Sequence, residues 1–131
     1  MNIILAYDDS SAAKIALEIA KRHALAFQAH ILVVTSMEGG SSGEIKAQAQ
    51  KAEASLDKVK ERFESQGISC ETHLLIRGLP AAEDIVLFAR EKDADELIIG
   101  IKKRSKVGKL MFGSTAQFVI LNAPCPVLTV K

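Results

Sequence analysis

The stretch Asp95-Glu96-Leu97-Ile98-Ile99-Gly100, followed after a cationic connection by Gly113-Ser114-Thr115, decides the fold. Its first part is a short apolar run ending in glycine, the pattern of a parallel strand buried on both faces. Its last part reads as a helix start, with Ser114 where a cap would stand and Gln117 three residues on at the capping-box spacing. Between them lie Ile101 to Phe112, with Lys102, Lys103, Arg104, Lys106 and Lys109. Connections in compact domains usually have about two to six residues. A strand, a glycine, a cationic loop, a second glycine and a helix N-terminus with free N–H groups together suit an anion, most often a phosphate. The plainer reading is a solvated basic loop in which Gly100 serves only the turn. The text is not a P-loop, because Lys103 occupies the first glycine position and Leu110 follows Gly108-Lys109.

The rest of the composition narrows the class. A chain of 131 residues suits one domain spanning 1–131 with one core, and 48% apolar residues suffice to build it. The net charge of +1 argues against a general polyanion-binding surface, and the basic loop has no aromatic residues for base stacking beyond Phe112 at its end. Nucleic acid is therefore not an expected partner. Cys70 and Cys125 have neither metal-ligand spacing nor a disulfide framework, which favours a reduced, cytoplasmic protein. No apolar stretch is long enough to span a bilayer, and Met1-Asn2-Ile3 leads straight into a strand without a signal-peptide pattern.

In chain order, Ile3 to Tyr7 reads as a buried strand, stopped by Asp8-Asp9-Ser10-Ser11, where Ser10 or Asp9 caps a helix. Ala13, Ala16, Leu17, Ala20 and Ala24 share one face of that helix. Ile31 to Thr35 is a second buried strand. Gly39-Gly40-Ser41-Ser42-Gly43 is a connector, and a long outer helix runs from about Glu44 to Gln66, with Ile45, Ala52, Leu56, Val59 and Phe63 as its apolar stripe. Gly67 sits where a left-handed residue would end it. Ile68 to Ile76 alternates, as an edge strand does. Pro80 takes the first position of a third helix, with Ala82, Ile85, Val86 and Ala89 buried. A last helix, Thr115 to about Asn122, packs through Val119 and Ile120. Val127-Leu128-Thr129-Val130 closes the chain as a strand.

Strands alternating with helices imply an α/β protein: a doubly wound, five-stranded parallel sheet with four helices on both faces. If strands one to three wind one way and four and five the other, the order is 3-2-1-4-5. A crevice then opens between strands one and four, where such sheets bind ligands. The loops there are Tyr7–Ser10 and Gly100–Gly113, so topology selects the same loop as local chemistry. The last strand is apolar on both faces and lies at an edge, a hazard unless a second copy covers it. Val127, Leu128, Thr129 and Val130 are the expected homodimer interface.

The residues resemble the universal stress protein family over essentially the whole chain. Ala6-Tyr7-Asp8-Asp9-Ser10 is similar to the family's first strand and Asp-Gly-Ser turn. Gly78-Leu79-Pro80-Ala81 is similar to its Gly-x-Pro-Ala helix start, and Ala94 to Gly100 to its fourth strand. Pro124-Cys125-Pro126-Val127-Leu128-Thr129-Val130 is similar to its terminal signature. Members that bind nucleotides carry Gly, two residues, Gly, nine residues, then Gly-Ser/Thr. Gly100 and Gly113-Ser114 fit, but Lys103 stands at the middle glycine. Some members bind ATP and others do not.

The resemblance implies a site for ATP or AMP. Ala6, Tyr7 and Asp8 would line the adenine and ribose end, and Thr35 would meet the base through its backbone. Ile99 and Gly100 would approach the ribose and phosphates, and Gly113, Ser114 and Thr115 would receive the phosphates. Lys103 supplies charge but adds bulk and disfavours positive φ; the four other cations nearby favour gripping a phosphate over filling its place. Asp9 replaces the usual glycine and adds negative charge beside Asp8, which a divalent cation such as magnesium would offset. The protein itself supplies no metal site.

Three functions are in play: a nucleotide-responsive stress or signalling module, a non-nucleotide dimeric interaction module, and a slow ATP hydrolase. The last is least supported, since Asp8 and Asp9 are the only carboxylates near the loop and no catalytic residue is assigned. His23, His30 and His73 lack metal-type spacing, although His30 and His73 fall on strands expected to be neighbours. Cys70 and Cys125 read as packed thiols.

Overall fold

The computed structural model describes residues 1–39, 43–101 and 113–131. The elements follow in strict alternation: β1 (Asn2–Ala6), α1 (Ser11–Phe27), β2 (His30–Ser36), α2 (Gly43–Glu64), β3 (Cys70–Leu75), α3 (Ala81–Glu91), β4 (Glu96–Gly100), α4 (Ser114–Asn122) and β5 (Val127–Val130). The five strands form one parallel sheet in the order β3-β2-β1-β4-β5. The expected architecture and order both hold. The cationic residues Lys102, Lys103, Arg104, Lys106 and Lys109, and the connector residues Gly40, Ser41 and Ser42, lie outside the described residues.

The runs without polar alternation form the strands covered on both faces. Ile3, Ile4, Leu5, Ile31, Val33, Leu97 and Ile98 are fully buried. Burying one such side chain contributes about 1.5–3 kcal/mol, so the three central strands are the main store of stability. One core layer lies under α1 and α2, with Leu17, Leu56 and Phe63 against Ile3, Leu5 and Val33. The other lies under α3 and α4, with Ile85, Phe88 and Val119 against Ile4, Leu32 and Leu97. β3 alternates as expected for an edge: Cys70 and Leu74 pack inward. Glu71 and His73 stand on the opposite face.

The helix ends explain how turns this short reverse the chain. Ser10 caps α1, its Oγ accepting from the Ala13 N–H at 3.1 Å. α2 ends at Gly67 (φ 74°), with Gly67 N–H donating to Glu64 O and Ile68 N–H to Phe63 O. That paired pattern satisfies two orphan carbonyls and plants an apolar residue just beyond the helix. Gln28 (φ 52°) and Asp93 (φ 49°) end α1 and α3 in the same left-handed conformation without glycine.

Three local expectations are corrected. Ser114 is not the cap of α4: Gly113 occupies that position with no side-chain cap, and its carbonyl accepts from Gln117 N–H at 3.0 Å. No capping box forms there, because the glycine has no side chain and Ala116 stands at the third helical position, and the Ser114 side chain becomes a first-turn group. Ile120 is 40% exposed, because nine residues of helix turn only Ala116 and Val119 fully inward. Pro80 stands one position before α3, not within it. Its ψ of 145° is extended, while its carbonyl accepts the first helical bond from Asp84 N–H.

Gly100 has a packing role that its loop position conceals. A Cβ built there would lie 2.6 Å from the carbonyl carbon of Ala12 and 2.8 Å from both Ala12 O and Ala13 N. Backbone atoms in a helix cannot give way as a side-chain tip can, so α1 and β4 approach this closely only over glycine. Gly100→Ala is expected to destabilise the fold by about 1–3 kcal/mol, the usual cost of overpacking. Urea denaturation measures it; an unchanged midpoint would mean that α1 does not sit against β4 in this way.

Candidate functional site

β1 has β2 on one side and β4 on the other, so the winding of the sheet reverses beside it. The crossovers leave in opposite directions, which in such sheets opens a crevice at the carboxyl ends of the strands. A cleft of about 360 Å³ occupies this place. Its volume falls within the range of small-molecule sites. Ala6, Tyr7 and Asp8 line it from β1, Thr35 from β2, Ile99 and Gly100 from β4, and Gly113, Ser114 and Thr115 from the start of α4. Nine of the ten residues assigned to a nucleotide from sequence therefore meet at one cleft; the tenth, Lys103, lies outside the described residues.

Sequence reading missed the α3 wall and part of β2. Ala13 from α1, Ala81 and Ile85 from α3, Val34 and Ser36 from β2, Ile101, and Ala116 complete the lining. Their signal was position alone: residues 34 and 36 continue the β2 row that faces α3, and Ala81 opens the helix whose first turn ends at the cleft.

The turn after β1 is fixed by its own polar groups. Asp8 Oδ1 accepts from Ser10 N–H at 3.1 Å, a local turn that mimics a backbone bond. Asp9 sits at φ 64°. Aspartate tolerates this left-handed conformation because its short polar side chain bonds locally. The Tyr7 hydroxyl donates to Asp9 Oδ1 at 3.0 Å, and Lys14 Nζ lies 4.0 Å from the same oxygen. Asp9 thus fills a backbone role that glycine also fills, and much of its charge is directed at Tyr7 and Lys14. Thr35 Oγ1 donates to the Tyr7 carbonyl at 2.7 Å, joining the ends of β1 and β2.

The opposite rim is a helix N-terminus. N–H groups of the first turn of α4 have no intrahelical acceptor, and Gly113 places them without a side chain between. A Cβ at Gly113 would meet nothing within 4 Å, and its φ of −64° is ordinary. Among the described residues nothing in the packing requires glycine there; its absent side chain leaves open space beside Ser114 and Thr115, both exposed.

Among the described residues no ionisable group besides Tyr7 and Asp8 lines the cleft. His30 and His73 do approach each other, through Glu71: His73 Nε2 is 3.1 Å from Oε1 and His30 Nε2 is 3.6 Å from Oε2. The hydrogen bond from His73 holds the Glu71 carboxyl below its ordinary value. Among the described residues no group of three or more His, Cys, Asp or Glu side chains is arranged to hold a metal. His23 is not simply solvated, since Nδ1 lies 2.6 Å from Glu96 Oε1. Burial pushes the Cys70 thiol up to about 11 and raises that of Cys125, so neither is poised as a thiolate. Arg77 Nε donates to the fully buried Asp84 at 2.6 Å and Nη1 to Glu91 at 2.7 Å, tying the turn before α3 to the helix.

An open parallel sheet wound in both directions, with a helix N-terminus facing a cleft at the reversal, defines a Rossmann-like α/β protein. The chain belongs to the universal stress protein family, whose sequence model matches residues 1–131. A Thermus aquaticus relative, the universal stress protein in the QAH/OAS sulfhydrylase 3′ region, is 38% identical over 138 residues, spanning 98% of this chain and 97% of its own. Among solved structures, a universal stress protein from Archaeoglobus fulgidus superposes with a TM-score of 0.86 at 39% identity, covering 100% of this chain and 98% of that one. A universal stress protein from the same organism in complex with dAMP superposes with a TM-score of 0.81 at 34% identity, with the same coverage. Among the described residues no helix is long and apolar enough to cross a membrane.

Tyr7 is the chain's one tyrosine, which makes its environment directly measurable. Burial first, then the Asp9 hydrogen bond, raise its pKa to about 12. Folding holds the phenolic proton, so this contribution to stability is complete below the ordinary tyrosine value of 10.0 and is lost as pH rises through about 12. Ultraviolet titration of tyrosinate should show that raised midpoint, with Asp9→Ala moving it down while burial keeps it above the ordinary value. A wild-type midpoint at the ordinary value would contradict the Tyr7–Asp9 contact.

Proposed function

We propose that this protein binds an adenine nucleotide, ATP or AMP, in the cleft at the carboxyl ends of β1, β2 and β4, and works as a dimeric cytoplasmic stress-response module. The observation that carries the reading is the meeting of three elements at one cleft: the β1 turn, the end of β2 and the first turn of α4. The N–H groups of α4 suit a phosphate. The apolar wall of Val34, Ala81, Ile85 and Ile99 suits the faces of a base. The dAMP complex of the A. fulgidus relative supports it at 34% identity. Asp8 lines the same cleft, and magnesium beside it would offset its charge against a triphosphate. The cleft serves here as a sensor site: Asp8 and Asp9 are engaged in the turn itself, so binding rather than hydrolysis is its work.

Isothermal titration should show saturable binding of AMP, and of ATP with magnesium. Ser114→Ala should weaken it roughly fivefold, the loss of one hydrogen bond. Absence of heat at millimolar concentrations of either nucleotide would overturn the reading in favour of a non-nucleotide interaction module.

The dimer rests on β5. Pro126 O and Val130 O accept from Leu97 and Ile101 N–H, so the alternate residues Val127 and Thr129 direct their backbone groups away from β4. All four β5 residues are only partly buried, and Leu121 of the adjacent helix is 74% exposed. A second copy pairing antiparallel about a two-fold axis would satisfy that edge. Thr129→Pro removes an outward donor without breaking the β4 ladder, and sedimentation equilibrium should show it shifted to monomer. A dimer insensitive to the change would place the interface elsewhere.

A further inference from the structure

β3 is the outer strand of the sheet on the side away from β5, so one edge of its backbone faces no strand among the described residues. Ser69 O, just before β3, and Leu75 O at its end accept from Ile31 and Met37 N–H of the β2 side. The odd-numbered residues therefore turn their backbone groups toward β2, and Cys70, Thr72 and Leu74 turn theirs outward. Side chains alternate between the faces. Cys70 and Leu74 pack into the layer under α2, and Glu71 and His73 stand on the other face with side chains 42% and 30% exposed. Edge strands commonly carry charge that keeps other strands away. Here the two polar residues are unlike, a carboxylate that accepts and an imidazole that donates to it, and Thr72 lies midway between them.

We propose that the β3 edge is a self-association surface whose partner is the β3 edge of a second copy of this chain, paired antiparallel about a two-fold axis at Thr72. In an antiparallel ladder outward residues pair with outward residues, so neighbouring registers differ by a slide of two residues. The register centred on Thr72 sets Glu71 opposite His73 of the second copy, and symmetry makes that pair twice. It also sets Cys70 opposite Leu74 on the apolar face. Sliding either way brings Glu71 opposite Glu71 or His73 opposite His73, and like charges directly opposite are destabilising. Complementarity thus selects one register. Within the chain Glu71 Oε1 lies 3.1 Å from His73 Nε2 and Oε2 lies 3.6 Å from His30 Nε2. A carboxylate has about four acceptor positions, so Glu71 keeps capacity for the histidine of a second copy. Just past the strand, Ile76 is 41% exposed and falls opposite Ile68 in the same register. The surface lies on the sheet edge opposite β5, so it is separate from the dimer contact above. Its polar face makes it the weaker of the two, which sets its pairing at higher protein concentration.

Sedimentation equilibrium over a concentration series reads the association, in Thr129→Pro protein so that β5 pairing does not contribute. The expected result is a monomer in dilute solution that dimerises reversibly toward millimolar concentration. His73→Glu, which sets a carboxylate opposite Glu71 at both places, should weaken that dimer roughly tenfold, and adding Glu71→His should restore it by exchanging the two partners. Thr72→Pro removes an outward donor without touching the β2 ladder and should leave monomer throughout. A Thr129→Pro protein that stays monomeric at millimolar concentration overturns the proposal. A dimer insensitive to His73→Glu and Thr72→Pro also overturns it, since the contact then lies elsewhere. Weakening by His73→Glu that Glu71→His fails to reverse overturns it as well, because the two residues would not face each other.

Discussion

Everything at the site depends on how closely α1 crosses the end of β4. The first turn of α1 lies so near Gly100 that a single methyl group would penetrate its backbone. That approach brings the turn after β1 beside the end of β4, although the two strands are separated in sequence by three complete crossovers. The pairing of β1 with β4 supplies the reversal of winding; the bare Gly100 brings the α1 start down onto it. A bulkier residue would lift α1, and with it Asp8, Asp9 and Ser10, away from the rim formed by Gly113, Ser114 and Thr115.

Within that frame the polar groups divide into those that build the cleft and those left for a ligand. Tyr7, Asp9, Thr35 and Ser10 spend their hydrogen bonds on the turn after β1 and on joining β1 to β2. They hold the wall rigid without reaching outside the protein. The N–H groups of the first turn of α4 are the complement: donors that the helix itself leaves unmatched at the rim of the cleft. Rigid walls with a few unspent polar atoms are what selective binding requires, because little ordering cost remains when the ligand arrives.

The strands and their order were legible because burial on both faces writes an unbroken apolar run, as in Leu97-Ile98-Ile99 and Ile31-Leu32-Val33-Val34. The helical faces were legible from period, as with Ala13, Leu17, Ala20 and Ala24. What escaped was set by geometry between elements. Gly100 reads as a loop glycine, yet its necessity comes from a helix that begins at Ser11. Ser114 reads as a cap because the spacing to Gln117 is right, but the chain enters α4 one residue earlier, on Gly113. Gln28 and Asp93 take left-handed turns that composition does not announce.

The most direct test of the central claim is residue-by-residue mapping of amide chemical shifts as AMP is titrated into isotope-labelled protein. Perturbations are expected to gather at Ala6 to Asp8, at Thr35 and Ser36, and at Gly113 to Ala116, fading toward the amino ends of the strands and the β3 edge. Perturbations centred instead on Glu71, His73 and the outer face of α3, or spread evenly over the surface, would contradict it.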